Sequence, residues 1–296
     1  MQERRVQAND VEFSYLEAGP GSGPLALCLH GFPDSAHTWR HLLPALGDAG
    51  YHAVAPWMRG YAPTQIPADG RYQTGALVAD ACALHEALGG DGRAVLIGHD
   101  WGAAAATGAA VHEPDRWSRL VTMAVPPLAA VATSFFTYAQ LKRSFYIFVF
   151  QTPLAETAVS LDDHAFLDGL WADWSPGYEA GWDVARVKES IGAPENLAAA
   201  IGYYRAMFDP ALHDPTYAEA QAATGGTPPQ PTLYLHGADD GCLALDAVGD
   251  VVPLLSPGSQ QVTVARSGHF LQVERPDEVN DHVVRFLGAP GAPRGS

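Results

Sequence analysis

The chain has 296 residues, 47% of them hydrophobic and 17% charged, long enough to bury about 75% of its unfolded surface without disulfides or metals. Its formal charge is −16 and its only lysines are Lys142 and Lys188, which excludes the basic patch that nucleic acid or an anionic membrane would require. Three scattered cysteines (Cys28, Cys82, Cys242), an N-terminus without an apolar signal core and no run of ~18 apolar residues lead to the expectation of a soluble, cytoplasmic protein.

In chain order, residues 4–8 and 11–18 flank Asn9-Asp10 and predict a hairpin. Short apolar strands follow at 25–29, 52–55, 94–97, 120–125, 232–235 and 261–265, with helical patterns between them at 74–88 and 102–112. Continuous apolar strands separated by helices predict an α/β architecture, a mostly parallel sheet covered on both faces. Residues 128–225 break this rhythm. They are rich in Trp, Tyr and Phe and carry helical patterns without a strand series, so they are expected to form a helical cap over the sheet's carboxyl edge, where open α/β sheets bind ligands. The core is then 1–127 and 226–296, with linker composition at 224–229 and a Gly/Pro/Ala-rich tail from 288 expected to fray.

Gly98-His99-Asp100-Trp101-Gly102 joins the strand at 94–97 to a small-residue helix beginning Ala103-Ala104. The spacing is that of a sharp strand-to-helix turn presenting a nucleophile, with Asp where Ser is usual. The glycines relieve crowding around a residue in strained dihedrals, and the helix N-terminus favours negative charge beside Asp100. An alkoxide attacking saturated carbon would leave an ether that water cannot readily cleave, whereas a carboxylate leaves a hydrolysable ester. Asp100 therefore points to displacement at sp3 carbon, as with an epoxide or an alkyl halide. Taken alone, the same residues also read as a strand-end Asp capping the next helix.

Among twelve histidines, His269 follows a late strand with Gly268 before it, the placement of a general base. Asp239 and Asp240 follow the strand at 232–235. One of them should hold the His269 tautomer and the other form a solvated turn. Asp240 is the first choice and Asp239 the fallback. After the strand at 25–29 comes His30-Gly31-Phe32-Pro33, where the Phe32 N–H can pair with that of Trp101 as an oxyanion hole.

These residues resemble the α/β-hydrolase superfamily in its epoxide hydrolase branch, close to the haloalkane and haloacid dehalogenases. His30-Gly31-Phe32-Pro33, Arg59-Gly60-Tyr61, the Asp100 turn and Gly268-His269-Phe270 fall in family order across nearly the whole chain. The resemblance implies an α/β-hydrolase fold with an inserted helical cap, and an order of nucleophile, acid and base that matches Asp100, Asp240 and His269. It also implies two ring-opening tyrosines. The segment Ser144-Phe145-Tyr146 supplies Tyr146, and Gly202-Tyr203-Tyr204-Arg205 supplies Tyr204, with Tyr203 adjacent. Phenols suit an epoxide, because its leaving oxygen stays on the product as an alkoxide and takes a proton. A departing halide wants N–H donors instead, and the side chain of Phe32 has none.

The expected activity is thus a cofactor-independent, metal-free hydrolase acting on a small apolar epoxide, as a monomer or homodimer. Phe32, Trp101, Tyr203 and Trp174 are the expected pocket side chains. A dehalogenase using the same Asp100 is the alternative, and a non-catalytic protein holding a small ligand in this fold is a second. Other patterns carry less. His37 and His41 have i,i+4 spacing on an expected helix but lack the metalloprotease Glu. Asp162-Asp163-His164 reads as a surface turn rather than a metal site, and Gly19–Gly23 lacks the strand-glycine-helix context of a nucleotide loop.

Overall fold

Asn9 and Asp10 take φ values of 44° and 58°, the left-handed pair that a two-residue hairpin turn requires. They join β1 (Gln2–Ala8) to β2 (Val11–Ala18). The structure is a computed structural model that describes residues 1–132 and 134–288. The expected tail therefore lies, from 289 onward, outside the described residues.

Six further strands complete one sheet: β3 (Leu25–Leu29), β4 (His52–Pro56), β5 (Ala94–His99), β6 (Trp117–Met123), β7 (Thr232–Gly237) and β8 (Gln260–Val264). The order is β1-β2-β4-β3-β5-β6-β7-β8. The β1–β2 and β2–β4 pairs are antiparallel and every other pair is parallel. Every residue of β3, β5 and β7 is buried, which is why these strands read as unbroken apolar runs rather than alternating ones. β6 begins earlier and ends earlier than the expected 120–125. Ala124 turns to φ 65°, and Pro126 and Pro127 lack the N–H that a ladder needs.

Helices α1 (Leu42–Asp48), α2 (Thr74–Ala87) and α3 (Trp101–His112) intervene between these strands. His37 and His41 do not share a helix: His37 lies in a 3-10 turn, Ala36–Trp39, and His41 precedes α1.

Between β6 and β7 the described residues contain no strand. They form α4 (Leu128–Val131), α5 (Tyr138–Arg143), α6 (Phe145–Val149), α7 (Ala155–Trp174), α8 (Gly181–Ile191), α9 (Pro194–Phe208) and α10 (Ala218–Ala223). α7 is interrupted at Leu161–His164, where Asp162, Asp163 and His164 all have positive φ. Lys188 pairs there with Asp163 at 3.3 Å and with Asp168 at 3.0 Å, and no group of three metal-ligating side chains occurs among the described residues. Specific polar contacts bind these helices to the sheet layer. Trp171 Nε1 donates to the Pro33 carbonyl at 2.8 Å, Asn196 Nδ2 to the Gly60 carbonyl at 2.8 Å, and Arg40 pairs with Asp183. After β7 come α11 (Leu245–Val248), α12 (Leu271–Glu274) and α13 (Pro276–Leu287). No helix among the described residues is long and apolar enough to cross a membrane.

Candidate active site

Four segments that follow parallel strands converge at the carboxyl edge of the sheet: His30–Pro33 after β3, Asp100 after β5, Asp240 after β7 and His269 after β8. Asp100 has φ 52° and ψ −120°, a region that costs a non-glycine residue of order 1–3 kcal/mol and persists only where the surroundings over-determine it. The glycines on either side show how. A Cβ on Gly98 would stand 2.2 Å from the Gly102 carbonyl oxygen, and one on Gly102 would stand 2.1 Å from that of Leu29.

Gly31 does the same for the side chain, since a Cβ there would lie 2.3 Å from Asp100 Oδ1. The carboxylate occupies that space and accepts the Phe32 N–H on Oδ1 at 2.8 Å. Burial pushes the Asp100 carboxyl above its usual value. The charge of His269 and the N–H groups of Phe32 and Trp101 act in the opposite sense without cancelling the rise.

His269 Nδ1 lies 3.0 Å from Asp240 Oδ2, and its Nε2 stands 3.8 Å from Asp100 Oδ2. The first distance is a hydrogen bond and the second is too long for one. Asp240 is held on its other oxygen by the N–H groups of Cys242 and Leu243, at 2.8 and 2.9 Å. Asp239 is exposed, so of the two aspartates Asp240 is the one against the histidine. Burial opposes the imidazolium, but the Asp240 carboxylate and then that of Asp100 outweigh it and hold His269 above its ordinary pKa.

Tyr146 in α6 and Tyr204 in α9 reach the same place from different helices. Their ring centroids are 5.5 Å apart, and Phe32 packs on both, 6.4 Å from Tyr146 and 5.3 Å from Tyr204. Trp101 meets Tyr204 edge-on at 5.1 Å. Trp174 lies 5.0 Å from Tyr146 and 5.1 Å from His269. Burial raises both phenols well above their usual pKa, which keeps them neutral and able to donate. Tyr203 faces elsewhere. Its hydroxyl donates to the Arg59 carbonyl at 2.7 Å and its ring packs against Tyr61 and Tyr72, touching Trp101 from that side.

Several contributors are not apparent from motif spacing. Phe150 is fully buried and packs on Phe32, Tyr146 and Tyr204; four residues past Tyr146, it lies one helical turn on. Glu274 accepts the Gly268 N–H at 2.8 Å and the Ser175 hydroxyl at 2.5 Å, while the His269 N–H donates to the Trp174 carbonyl at 2.9 Å. The end of α7 thus sets the loop that carries His269. His236 stands 3.8 Å from Asp240 Oδ2 and is itself held by Tyr234 and the Leu243 carbonyl. The contacts of Glu274 with Ser175 and of His269 with Trp174 join segments far apart in sequence and leave no local signal.

The family model described as alpha/beta hydrolase fold matches residues 24–276. Epoxide hydrolase A of Mycobacterium tuberculosis is 33% identical, covering 96% of this chain and 97% of its own. An epoxide hydrolase of Caballeronia sordidicola is 30% identical, covering 97% and 94%. Among solved structures, epoxide hydrolase A of Mycobacterium thermoresistibile superimposes with a TM-score of 0.78 at 28% identity, over 97% of this chain and 98% of that one. The epoxide hydrolase of Bacillus megaterium in complex with an inhibitor gives 0.80 at 26%, over 96% and 99%.

Proposed function

Since the chain belongs to the α/β-hydrolase family and, within it, to the epoxide hydrolase branch, we propose that it opens a small apolar epoxide to a vicinal diol through an ester on Asp100. The observation that carries this reading is the meeting of a strained, buried carboxylate with a histidine and two neutral phenols inside one aromatic enclosure.

Oδ1 of Asp100 accepts the Phe32 N–H and Oδ2 faces His269, so Oδ2 is the attacking oxygen. It forms a bond to one epoxide carbon as the carbon–oxygen bond of the ring breaks, and the departing alkoxide takes a proton from Tyr146 or Tyr204. Such help is worth roughly 100- to 10,000-fold. His269 Nε2 then removes a proton from water, and the hydroxide adds to the ester carbonyl carbon. The negative charge forms on Oδ1, against the N–H groups of Phe32 and Trp101, where one donor is worth about 100- to 1,000-fold. Collapse expels the second alkoxide, which takes the proton from His269. The new carboxyl group returns its proton to the phenolate, which restores both residues.

In this scheme residues 128–225 act as a cap on a core of 1–127 and 226–296, and no metal or organic cofactor takes part. We place the enzyme in the cytoplasm as a monomer or homodimer; its three buried, unpaired cysteines suit a reducing compartment. A halide leaving group is less well served, because Phe32 offers no side-chain N–H.

His269→Gln decides the reading. The variant should form the Asp100 ester in one turnover and stop, with the adduct retained on the peptide by mass spectrometry. Steady diol release from it would sink the scheme.

A further inference from the structure

Cys242 stands where the two halves of the site meet. Its N–H donates to Asp240 Oδ1 at 2.8 Å, and its carbonyl accepts Gln140 Nε2 at 2.8 Å. Gln140, in α5, also donates to the Ser144 hydroxyl at 2.9 Å, just before the helix that carries Tyr146. The Cys242 backbone is therefore fixed at both ends, and its buried sulfur lies 3.6 Å from Tyr146 Oη. This is a hydrogen-bond distance for sulfur, and either atom can be the donor. Tyr204, by contrast, has no hydrogen-bond partner for its hydroxyl among the described residues.

The assigned role of Tyr146 sets the direction: a phenol has one hydrogen, and one that protonates the epoxide oxygen spends it toward the reacting centre. That orientation leaves an oxygen lone pair facing the sulfur. Burial pushes the Cys242 thiol well above its usual pKa, so the sulfur carries a hydrogen to offer.

Resting on the reading of Tyr146 as a ring-opening phenol, we propose that Cys242 is its positioning residue, donating S–H to Tyr146 Oη and aiming the phenolic O–H at the epoxide oxygen. The thiol gives up neither proton nor electrons. As the ring carbon–oxygen bond breaks, the Tyr146 proton passes to the alkoxide, and the hydrogen bond from the S–H strengthens onto the phenolate oxygen left behind. The contribution falls on ester formation, because attack of water on the ester uses His269 and the N–H groups of Phe32 and Trp101, and the phenolate is reprotonated only after the ester has collapsed.

Single-turnover kinetics on the full chain with styrene oxide as probe, separating ester formation from ester hydrolysis, tests this. Cys242→Ala should slow ester formation about tenfold, the scale of one hydrogen bond, and leave hydrolysis of the ester within twofold, which also reports an intact fold. Cys242→Ser keeps a donor and should recover part of the loss. In a Tyr146→Phe background, where ester formation is already slow, Cys242→Ala should change nothing further. Equal losses in the Ala and Ser variants, parallel loss of both steps, an unchanged rate in Cys242→Ala, or an undiminished effect in the Tyr146→Phe background would each overturn the inference. If Tyr146→Phe alone leaves ester formation at its normal rate, it is the reading of Tyr146 that fails.

Discussion

Asp240 Oδ2 and His269 Nδ1 lie 3.0 Å apart, both buried, with the aspartate's other oxygen taken by two backbone N–H groups. This pairing holds the imidazole with its Nε2 toward Asp100 and raises its proton affinity. In the proposed scheme the base works only when deprotonated, so ester hydrolysis is lost as pH falls through the His269 pKa. With Asp100 uncharged in the ester, the Asp240 carboxylate is what holds that acid limb up. Asp240→Asn removes the largest raising charge. The limb should then move to lower pH, while the plateau rate falls by about 100- to 10,000-fold as the tautomer is lost. The pH profile of ester hydrolysis in the two proteins checks this, and an unmoved limb would count against the assignment of Asp240.

Gly31 is the second test. An added Cβ would stand 2.3 Å from Asp100 Oδ1 and 2.4 Å from Asp100 Cβ, closer than real atoms approach, so the carboxylate or the Phe32 loop must shift. Misplacement by about 1 Å costs on the order of 100-fold. Gly31→Ala should lose roughly that much in ester formation and also slow ester hydrolysis, because the Phe32 N–H moves with the loop. Single-turnover rates measured beside a thermal unfolding curve separate this from simple instability. A fully active Gly31→Ala protein would show that the close approach is not needed.

The third prediction concerns stability. Arg59 is fully buried and pairs with Asp80 through two hydrogen bonds of 2.7 Å, while Asp69, about one-third exposed, takes its remaining nitrogen. Removing one partner of a buried pair leaves an uncompensated charge and costs about 3–5 kcal/mol. Asp80→Asn should lower the unfolding free energy by about 3 kcal/mol, at the low end because Asp69 remains. Urea denaturation measures it, and a loss below about 1 kcal/mol would assign the pairing to Asp69 instead.

The amino-acid sequence by itself determined the strands, the order of the candidate residues along the chain and the kind of side chain at the strand-to-helix turn. Apolar runs such as 94–97 can be stable only when covered on both faces, and that local fact already implies a parallel sheet. Gly98 and Gly102 around Asp100 are likewise a local steric demand, visible without coordinates.

What tertiary structure decided is whatever depends on direction and distance between remote segments. Asp239 and Asp240 are adjacent and chemically identical, and only the path of the loop turns one toward His269 and leaves the other exposed. Tyr203 and Tyr204 are neighbours about 100° apart around a helix, so the docking of α9 sends the first to the Arg59 carbonyl and the second to the aromatic enclosure. Gly31, Cys242 and Glu274 matter through contacts spanning 69, 96 and 99 residues, and no sequence period encodes such contacts. A single sequence specifies which groups are present, whereas their convergence depends on how the sheet stacks its strands and on where the inserted helices come to rest.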